Sequence, residues 1–571
     1  MKSLKIIGFL MVALISASSC SPTNDGYLTS EDPGTATIRI YKNNNSTSKN
    51  RYIAPKNVKI STTHSDLNGL NMSNFTITCP STGDVKTLII PVKLPGENGY
   101  VTDEHRAQIR RDLNTIFFKE NHEENDYPSV SSFIKESSFE KLNISGTILD
   151  WFDVEKEAKI PSLNDITSSY YGSLENTILP KVIEWAVEAQ GIELSDYDSN
   201  NDGFVDSIYF VYDRFDNETA SEYASLGNTD VEITDNAVFT NLTSQNFNLD
   251  STDAVAPSVF SWMSFASIYK NFANRTEDDK NIDFSKFFDS KITAHEFIYH
   301  FGSQLGLESL ASFSDYNVHP AGKTTMMDLG LCDFDSYSKM ALGWVTPYVV
   351  YGTSEILLPK ANFADNCVIV IPSNFEEISN KVEYAIKNDK LDEFVFEFNP
   401  FSEYLMIDLY TPDGLNYHDS LVDVMKGNKP ACTGSGVRIY HVDSRIFKAK
   451  VIQSDLGNSF SYTDGYVWDG KKLGNNEILL TPITNSKNEN TTYQLPYDFN
   501  FFDRLRLLEA NKINTFDEGG WMDYVSLFKP NTDPFEIENF GYRFFNARYV
   551  FNGGEDLPFR VKVETLKEVN I

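Results

Sequence analysis

The chain has 571 residues, which is too long for one ordinary domain and predicts two or three domains. Hydrophobic residues make up 41% of the chain and aromatic residues 13%, and this composition excludes an intrinsically disordered protein. The formal net charge of -32 at pH 7 argues against nucleic acids and anionic membrane surfaces as partners. It is compatible with solubility and with cation binding.

The first 19 residues have the pattern of a bacterial lipoprotein signal peptide. Lys2 and Lys5 precede an apolar run over residues 6–15, which is too short for a stable membrane anchor. Small residues at positions 16–19 lead to Cys20, where the pattern predicts cleavage and attachment of lipid. The alternative is an ordinary secretory signal with an incidental cysteine. We expect an outer-membrane lipoprotein of the cell envelope, periplasmic or surface-exposed, that contacts the membrane only through its lipid anchor.

Two short regions are expected before the main body of the protein. Residues 20–52 are rich in Ser, Thr and Asn and predict a flexible tether. Residues 53–84 contain short alternating segments, which predict a small β element or a cap resembling a pro-region. The sequence does not distinguish between these two readings.

The four cysteines after Cys20 are widely spaced and include no C-x-x-C pair. They are Cys79, Cys332, Cys367 and Cys432. This spacing predicts buried thiols, not a disulfide framework or a metal site.

Residues 85–346 have the alternation of an α/β domain. The apolar run at residues 87–92 predicts a buried strand, and Thr102 begins a helix that continues through Phe117. A helix near Phe133 is expected to lead into a strand that ends near Trp151. A further helix is predicted over residues 178–189.

The loop at residues 198–206 carries oxygen donors at alternate positions, as a calcium-binding loop does. The side chains of Asp198, Asn200, Asp202 and Asp206 and the main-chain carbonyl of Phe204 would supply the ligands. The position at which a helix–loop–helix calcium site has its bidentate Glu is occupied by Tyr. The next residues, 207–212, predict a strand. A turn rich in Asp and Asn that binds no metal is the alternative.

The segment that starts at His295 carries part of a zinc-peptidase motif. His295 and Glu296 would supply one zinc ligand and the general base, but the position four residues after His295 is Tyr299. The next imidazole, His300, lies about 140° around a regular helix from His295, so the two rings cannot share one ion. A π-bulge would bring them together. A buried amphipathic helix with locally satisfied polar groups is the alternative reading.

Residues 347–571 predict a β-rich, sandwich-like domain. Short strands are expected at residues 349–351, 355–358, 368–371, 404–409, 437–442, 477–480 and 559–563. His441 lies at the end of one of them and predicts a structural hydrogen bond, not a metal ligand. Trp468, Trp521 and residues 542–545 would either line a binding face or pack in the core.

An ordered set of segments resembles the immune inhibitor A family of secreted bacterial zinc metallopeptidases. The resemblance covers roughly residues 85–450. It implies an α/β metzincin-like peptidase domain followed by a β-rich domain, with Met326 and Met327 in a turn beneath the metal. The matching segments are residues 88–92, 133–151, 198–212, 295–302, 326–330, 337–345, 404–409 and 436–443.

This chain departs from the family's pattern at the zinc ligands. The family has His where this chain has Tyr299, although Gly302 keeps the family's glycine. The family's third ligand, an Asp, falls on Leu305, or on Ser309 if the following Leu-Gly-Leu is aligned instead. Asp315, His319 and His300 remain as alternative donors.

Two functions follow from this pattern. The first is an exported peptidase-like protein, impaired in catalysis, that binds a protein, peptide or glycan. The second is an active zinc metalloendopeptidase, in which Glu296 takes a proton from zinc-bound water and the hydroxide attacks a peptide carbonyl.

Overall fold

The structure is a computed structural model. It describes residues 34–41, 50–58, 79–96, 101–120, 127–161, 178–215, 239–242, 255–257, 259–269, 284–289, 291–307, 309–310, 319–390, 401–421, 432–445, 447–454, 457–467, 477–480, 504–511, 516, 521–523, 525–532 and 559–568. The signal peptide, Cys20, Asp315, Trp468 and residues 542–545 lie outside these ranges.

The described residues form strands that belong to several sheets. The strands are β1 Thr35–Tyr41, β2 Tyr52–Ile53, β3 Gly83–Lys93, β4 Leu142–Ile148, β5 Phe152–Asp153, β6 Phe204–Val205, β7 Ser207–Tyr212, β8 Phe239–Leu242, β9 Ala256–Pro257, β10 Val259–Ser264, β11 Tyr348–Val350, β12 Ser354–Pro359, β13 Val368–Pro372, β14 Glu403–Tyr410, β15 Gly436–Asp443, β16 Phe447–Ser454, β17 Gly457–Val467, β18 Glu477–Leu480, β19 Leu505–Leu508 and β20 Arg560–Lys567.

The helices of the described residues lie mostly in the first two thirds of the chain. They are α1 Asp103–Phe118, α2 Val130–Ser137, α3 Val154–Glu157, α4 Leu179–Glu188, α5 His295–Gln304, α6 Ser336–Ala341, α7 Phe375–Lys387 and α8 Tyr417–Leu421. The fold is therefore mixed α/β, with β-rich structure after residue 347, as the sequence predicts at this coarse level.

The first large sheet has the strand order β4-β3-β7-β10-β8. Strand β3 is parallel to β4 and to β7, β7 is parallel to β10, and β8 closes the edge in the antiparallel direction. Helix α1 begins where Thr102 accepts a hydrogen bond from the His105 N–H, and it buries Ile109, Leu113 and Phe117. The strands predicted at 87–92 and 207–212 are confirmed as parts of β3 and β7. The helices predicted from Thr102 through Phe117 and over residues 178–189 are confirmed as α1 and α4.

The second large sheet has the order β19-β15-β14-β13-β11-β2. Every residue of β14 and β15 is buried, which explains their long runs of apolar side chains. The strands predicted between residues 348 and 443 are confirmed. Those predicted at 477–480 and 559–563 also form, as β18 and β20.

Strand β1 forms the middle of a three-stranded sheet. It pairs in the antiparallel direction with β12 on one side and with β20 on the other. The prediction of a flexible tether over residues 20–52 is therefore wrong for residues 35–41. Ile38 and Ile40 are fully buried against a core that β12 and β20 share, and this burial holds the segment in place.

One hydrophobic core crosses the predicted domain boundary at residue 347. It includes Phe297 and Met327 on one side of the boundary, and Tyr404 and Met406 on the other. The buried ion pair of Arg438 and Asp408 lies after this boundary and is hydrogen-bonded to Thr324 and Ser336 before it.

Two further features of the described residues bear on the predictions. Their cysteines are buried and free, as the sequence predicts; they are Cys79, Cys332, Cys367 and Cys432. No helix in the described ranges is long and apolar enough to cross a membrane.

Candidate functional site

Helix α5 is α-helical at every residue from His295 to Gln304. The Ile298 N–H donates to the Ala294 carbonyl at 2.9 Å, and the Leu305 N–H donates to the Phe301 carbonyl at the same distance. The five-residue separation of His295 and His300 therefore corresponds to the rotation of about 140° of a regular helix. The structure does not bring these two imidazoles to one point.

The two faces of α5 have different surroundings. His295 is buried, whereas Glu296, Tyr299, His300 and Ser303 are only partly buried. Since residues three, four and seven apart lie on one side of a helix, these four form a single partly exposed face. The predicted base Glu296 thus lies on the same face as His300 and away from His295.

The ring of His295 is held by the main chain of another segment. Its Nε2 lies 2.9 Å from the carbonyl oxygen of Gly330, and its side chain is buried. Because a carbonyl only accepts hydrogen bonds, Nε2 carries the hydrogen, and the lone pair of the neutral ring lies on Nδ1. The hydrogen bond from His295 therefore links α5 to the segment that follows Met327.

The turn that contains Met326 and Met327 packs directly beneath α5. Both side chains are fully buried, and a Cβ added to Gly302 would lie 2.7 Å from the Met327 sulfur. The Leu310 N–H donates to the Met327 carbonyl at 2.8 Å. The helix and the turn are therefore in close contact.

The predicted positions for a third zinc ligand are not suited to that role. Leu305 is apolar and fully buried at the C-terminal end of α5. Ser309 is partly buried and offers only a hydroxyl. Among the residues that the structure describes, no group of three His, Cys, Asp or Glu side chains is placed to hold a metal ion. The residues present at α5 do not fit a zinc ion held by two imidazoles and a carboxylate.

The loop at 198–206 folds around its own carboxylates. Asp198 accepts from the Asp202 and Gly203 N–H groups, at 3.0 Å each, and Asp202 accepts from the Phe204 N–H at 2.9 Å. The Asp206 carboxylate accepts from the Ser199 N–H at 2.8 Å. Gly203 adopts a φ of 90°, which permits the sharp turn at the sixth position.

The Asp206 carboxyl of this loop is affected by burial and by neighbouring charges. Burial raises its pKa, and the charges of Asp198 and Asp202 raise it further. The hydrogen bond from Ser199 offsets part of this effect. Carboxylate, amide and carbonyl oxygens are the donor types that calcium prefers, although the finding that no described group of three His, Cys, Asp or Glu side chains is placed to hold a metal applies to this loop as well.

A second polar cluster lies next to His295, and sequence reasoning missed it. Asp419 on α8 accepts a hydrogen bond from the Leu331 N–H at 2.9 Å, and burial raises the pKa of its carboxyl to about 6. The ring of Tyr127 lies 5.9 Å from that of His295. Burial raises the pKa of the Tyr127 hydroxyl, and the nearby Cys332 and Asp419 raise it further. These residues are far apart in the sequence, so no local pattern joins them.

His441 has the structural role that its position predicts. Its Nε2 lies 3.0 Å from the Glu403 carboxylate on the neighbouring strand, and both side chains are buried.

The chain matches no protein-family model and no curated protein sequence.

Proposed function

We propose that the chain is a lipid-anchored binding protein of the cell envelope, built on a scaffold related to the immune inhibitor A peptidases. It binds a protein, peptide or glycan and does not hydrolyse peptide bonds. The alternative, an active zinc metalloendopeptidase, requires an ion at α5.

The observation that carries this proposal is the regular helical geometry of α5, which turns His300 about 140° away from His295. An ion at His295 would therefore have no second imidazole from this helix. Leu305, the predicted third ligand, supplies no donor atom. Glu296 would then have no activated water from which to take a proton.

Calcium belongs to this proposal as a structural ion. Asp198, Asn200, Asp202 and Asp206, with the carbonyl of Phe204, would hold it through oxygen atoms. The ion would neutralise the carboxylates at the start of β7, which is a central strand of the first sheet. Its role would be stability and not catalysis.

Metal analysis and a peptidase assay on the purified protein test the proposal together. We expect well below one zinc per chain after dialysis against a micromolar zinc buffer. We also expect casein hydrolysis that does not differ between the wild type and Glu296→Gln. Near-stoichiometric zinc, together with casein hydrolysis that Glu296→Gln abolishes, would falsify the proposal and support the peptidase alternative.

A further inference from the structure

Lys339 on α6 is a lysine whose side chain is withdrawn from solvent. It is 1% exposed, and its nitrogen Nζ lies 2.5 Å from Oδ2 of Asp333, whose side chain is 6% exposed. Lysine is rarely buried to this extent, and both members of a charged pair lose their hydration when they are buried. The ordinary distance between an ammonium and a carboxylate is about 2.7–2.9 Å. The amine and the carboxyl group of this pair are therefore closer than in an ordinary ion pair.

The other oxygen of the same carboxyl group receives two hydrogen bonds. Asp333 Oδ1 accepts from the Ser137 hydroxyl at 2.5 Å and from the Phe334 N–H at 2.8 Å. Two donors on one oxygen stabilise the negative charge that develops there when a nucleophile adds to the carbonyl carbon. One oxygen of Asp333 is thus placed to hold developing charge, while the other oxygen faces the amine.

The main chain on both sides of the pair is fixed by hydrogen bonds. The Asp333 N–H donates to Asn416 Oδ1 at 3.1 Å, and the Lys339 N–H donates to the Asp335 carbonyl at 3.0 Å. An amine and a carboxyl group that are held in contact react as if each were present at a very high concentration. The fold therefore supplies the proximity that a reaction between these two groups needs.

The ring of Phe139 covers the amine. Lys339 Nζ lies 4.8 Å from the centre of that ring. Phe139 and Glu140 have φ values of 55° and 62°, in the left-handed region that bulky side chains seldom adopt. Backbone strain of this kind is concentrated at functional sites of proteins. The ring keeps water from the amine, and the exclusion of water protects a newly formed amide from hydrolysis.

We propose that Lys339 and Asp333 become joined by an amide bond between Nζ and Cγ. The ammonium passes one proton to Oδ2, the neutral amine adds to Cγ, and Oδ1 takes the negative charge between its two donors. The bond between Cγ and Oδ2 then breaks, and Oδ2 leaves as water with a second proton from the nitrogen. An ammonium and a carboxylate together contain the atoms of one amide and one water, so no oxidant or further reactant is needed.

The amide would replace two buried charges with one neutral group, which removes the desolvation cost of the ion pair. It would also close a ring across residues 333–339 and fix the first turn of α6. The Ser336 hydroxyl in that turn donates to Asp408 at 2.6 Å. The cross-link would therefore strengthen the attachment of α6 to strand β14. This inference is independent of the proposed binding function.

Peptide mass spectrometry of the purified full-length protein after digestion with trypsin tests the bond. Trypsin cleaves after lysines with a free amine, so an unlinked chain gives separate peptides over residues 324–339 and 340–360. An acylated Lys339 is not cleaved. We expect one peptide over residues 324–360, lighter than its sequence mass by one water. Fragmentation of this peptide should release no fragment from main-chain breaks between residues 333 and 339.

Two variants and one control test the chemistry. Lys339→Met removes the amine and should give the peptide over residues 324–360 at its full sequence mass. Ser137→Ala removes one of the two donors to Oδ1 and should lower the linked fraction at least tenfold in protein isolated soon after synthesis. Ser131→Ala, on the same helix α2 and partly exposed, is the matched control and should leave the linked fraction unchanged.

Three results would overturn the inference. Complete cleavage after Lys339 in the wild type, into two peptides of full mass, excludes the bond and needs no variant. A loss of water that persists in Lys339→Met would indicate a succinimide at Asp333 instead of a cross-link. A linked fraction that Ser137→Ala leaves unchanged would refute the role of the donors on Oδ1. Zinc content and casein hydrolysis bear only on the proposed function, so the failure of one proposal is distinguishable from the failure of the other.

Discussion

Gly302 and Met327 are in such close contact that the smallest side chain at 302 would collide with the methionine sulfur, at 2.7 Å. The ring of Phe334 lies just beyond, with two of its atoms at 3.1 and 3.3 Å from the same added Cβ. The glycine is therefore required by the approach of α5 to the turn that contains Met327, independently of any metal.

Gly302→Ala is expected to destabilise the protein by about 1–3 kcal/mol, because the extra methyl group overpacks a fully buried contact. Urea unfolding measures the change. Ser303→Ala, one residue later on the partly exposed face, is the control and should lie within about 0.5 kcal/mol of the wild type. A neutral or stabilising Gly302→Ala would show that Met327 moves aside at no cost.

Tyr299→His restores an imidazole four residues after His295. We nevertheless expect it to bind far less than one zinc per chain, because Leu305 still supplies no third ligand and two imidazoles alone hold zinc weakly. Metal analysis after equilibration with zinc provides the measurement. One tightly held zinc in this variant would show that the imidazole at position 299 is all that the site lacks, and would contradict the argument from Leu305.

Asp419→Asn is expected to change how stability depends on pH. The folded protein raises the pKa of this carboxyl from 3.8 to about 6, so ionisation costs nothing below the unfolded value. The free-energy cost of ionising this buried carboxyl grows as the pH rises from about 4 to 6 and is constant at higher pH. A pKa raised from 3.8 to about 6 corresponds to about 3 kcal/mol as an upper limit.

The variant should therefore gain stability relative to the wild type between pH 4 and pH 7. Urea unfolding of both proteins at pH 4.5 and pH 7.5 measures this difference. Asp196→Asn, an exposed acid elsewhere on the surface, should show no comparable change. Parallel pH profiles of wild type and Asp419→Asn would contradict the raised pKa.

Calcium is expected to raise the melting temperature of the wild type. A free concentration of one hundred times Kd would add about 2.7 kcal/mol to the free energy of unfolding. Asp198→Asn and Asp206→Asn should each remove most of this increase by taking a charged oxygen from the loop. Asp196→Asn, just outside the loop, should retain it. An equal change in melting temperature with calcium in all four proteins would show that the loop at 198–206 does not bind the ion.

Arg438 and Asp408 are expected to hold the two predicted domains together. The guanidinium contacts both carboxylate oxygens at 2.7 and 2.8 Å, and it donates to the Thr324 carbonyl at 2.9 Å across the predicted boundary. The Ser336 hydroxyl of α6 donates to the same carboxylate at 2.6 Å. Arg438→Met leaves a buried carboxylate unpaired, which should cost about 3–5 kcal/mol.

The double variant Arg438→Met with Asp408→Leu removes both charges and should recover part of that loss. A double-mutant cycle by chemical unfolding measures the coupling. Arg111→Met, on the exposed side of α1, is the surface control. Strictly additive losses would mean that the charges of Arg438 and Asp408 are not coupled.

The sequence was a good guide where the signal is local. Thr102 is a typical N-cap residue and predicts the start of α1. The apolar run at 87–92 has the composition of a buried strand, so both elements were predictable. The separation of His295 from His300 was also predictable, because it depends only on the helical period. Strand β1 was not, because a short apolar stretch after a polar region becomes a strand only when distant partners are available.

The same limit applies to the candidate site. The bond from His295 to Gly330 spans 35 residues, and the bond from Leu331 to Asp419 spans 88. Neither is coded by spacing along the chain, since each depends on how the turn after Met327 is placed. The sequence alone therefore shows which zinc ligands are absent near His295, but not the hydrogen bonds that His295 and Asp419 make instead.

The central position of β1 has a consequence for biogenesis. The hydroxyl of Thr565 donates to that of Thr37, a pair separated by 528 residues. During synthesis, residues 35–41 are made long before residues 560–567, one of their two partner strands. Closing so large a loop is slow, and an unpaired strand is a target for unwanted association. We therefore expect folding intermediates of this protein to depend on chaperones until residues 560–567 are made, and a chain shortened before Arg560 to aggregate.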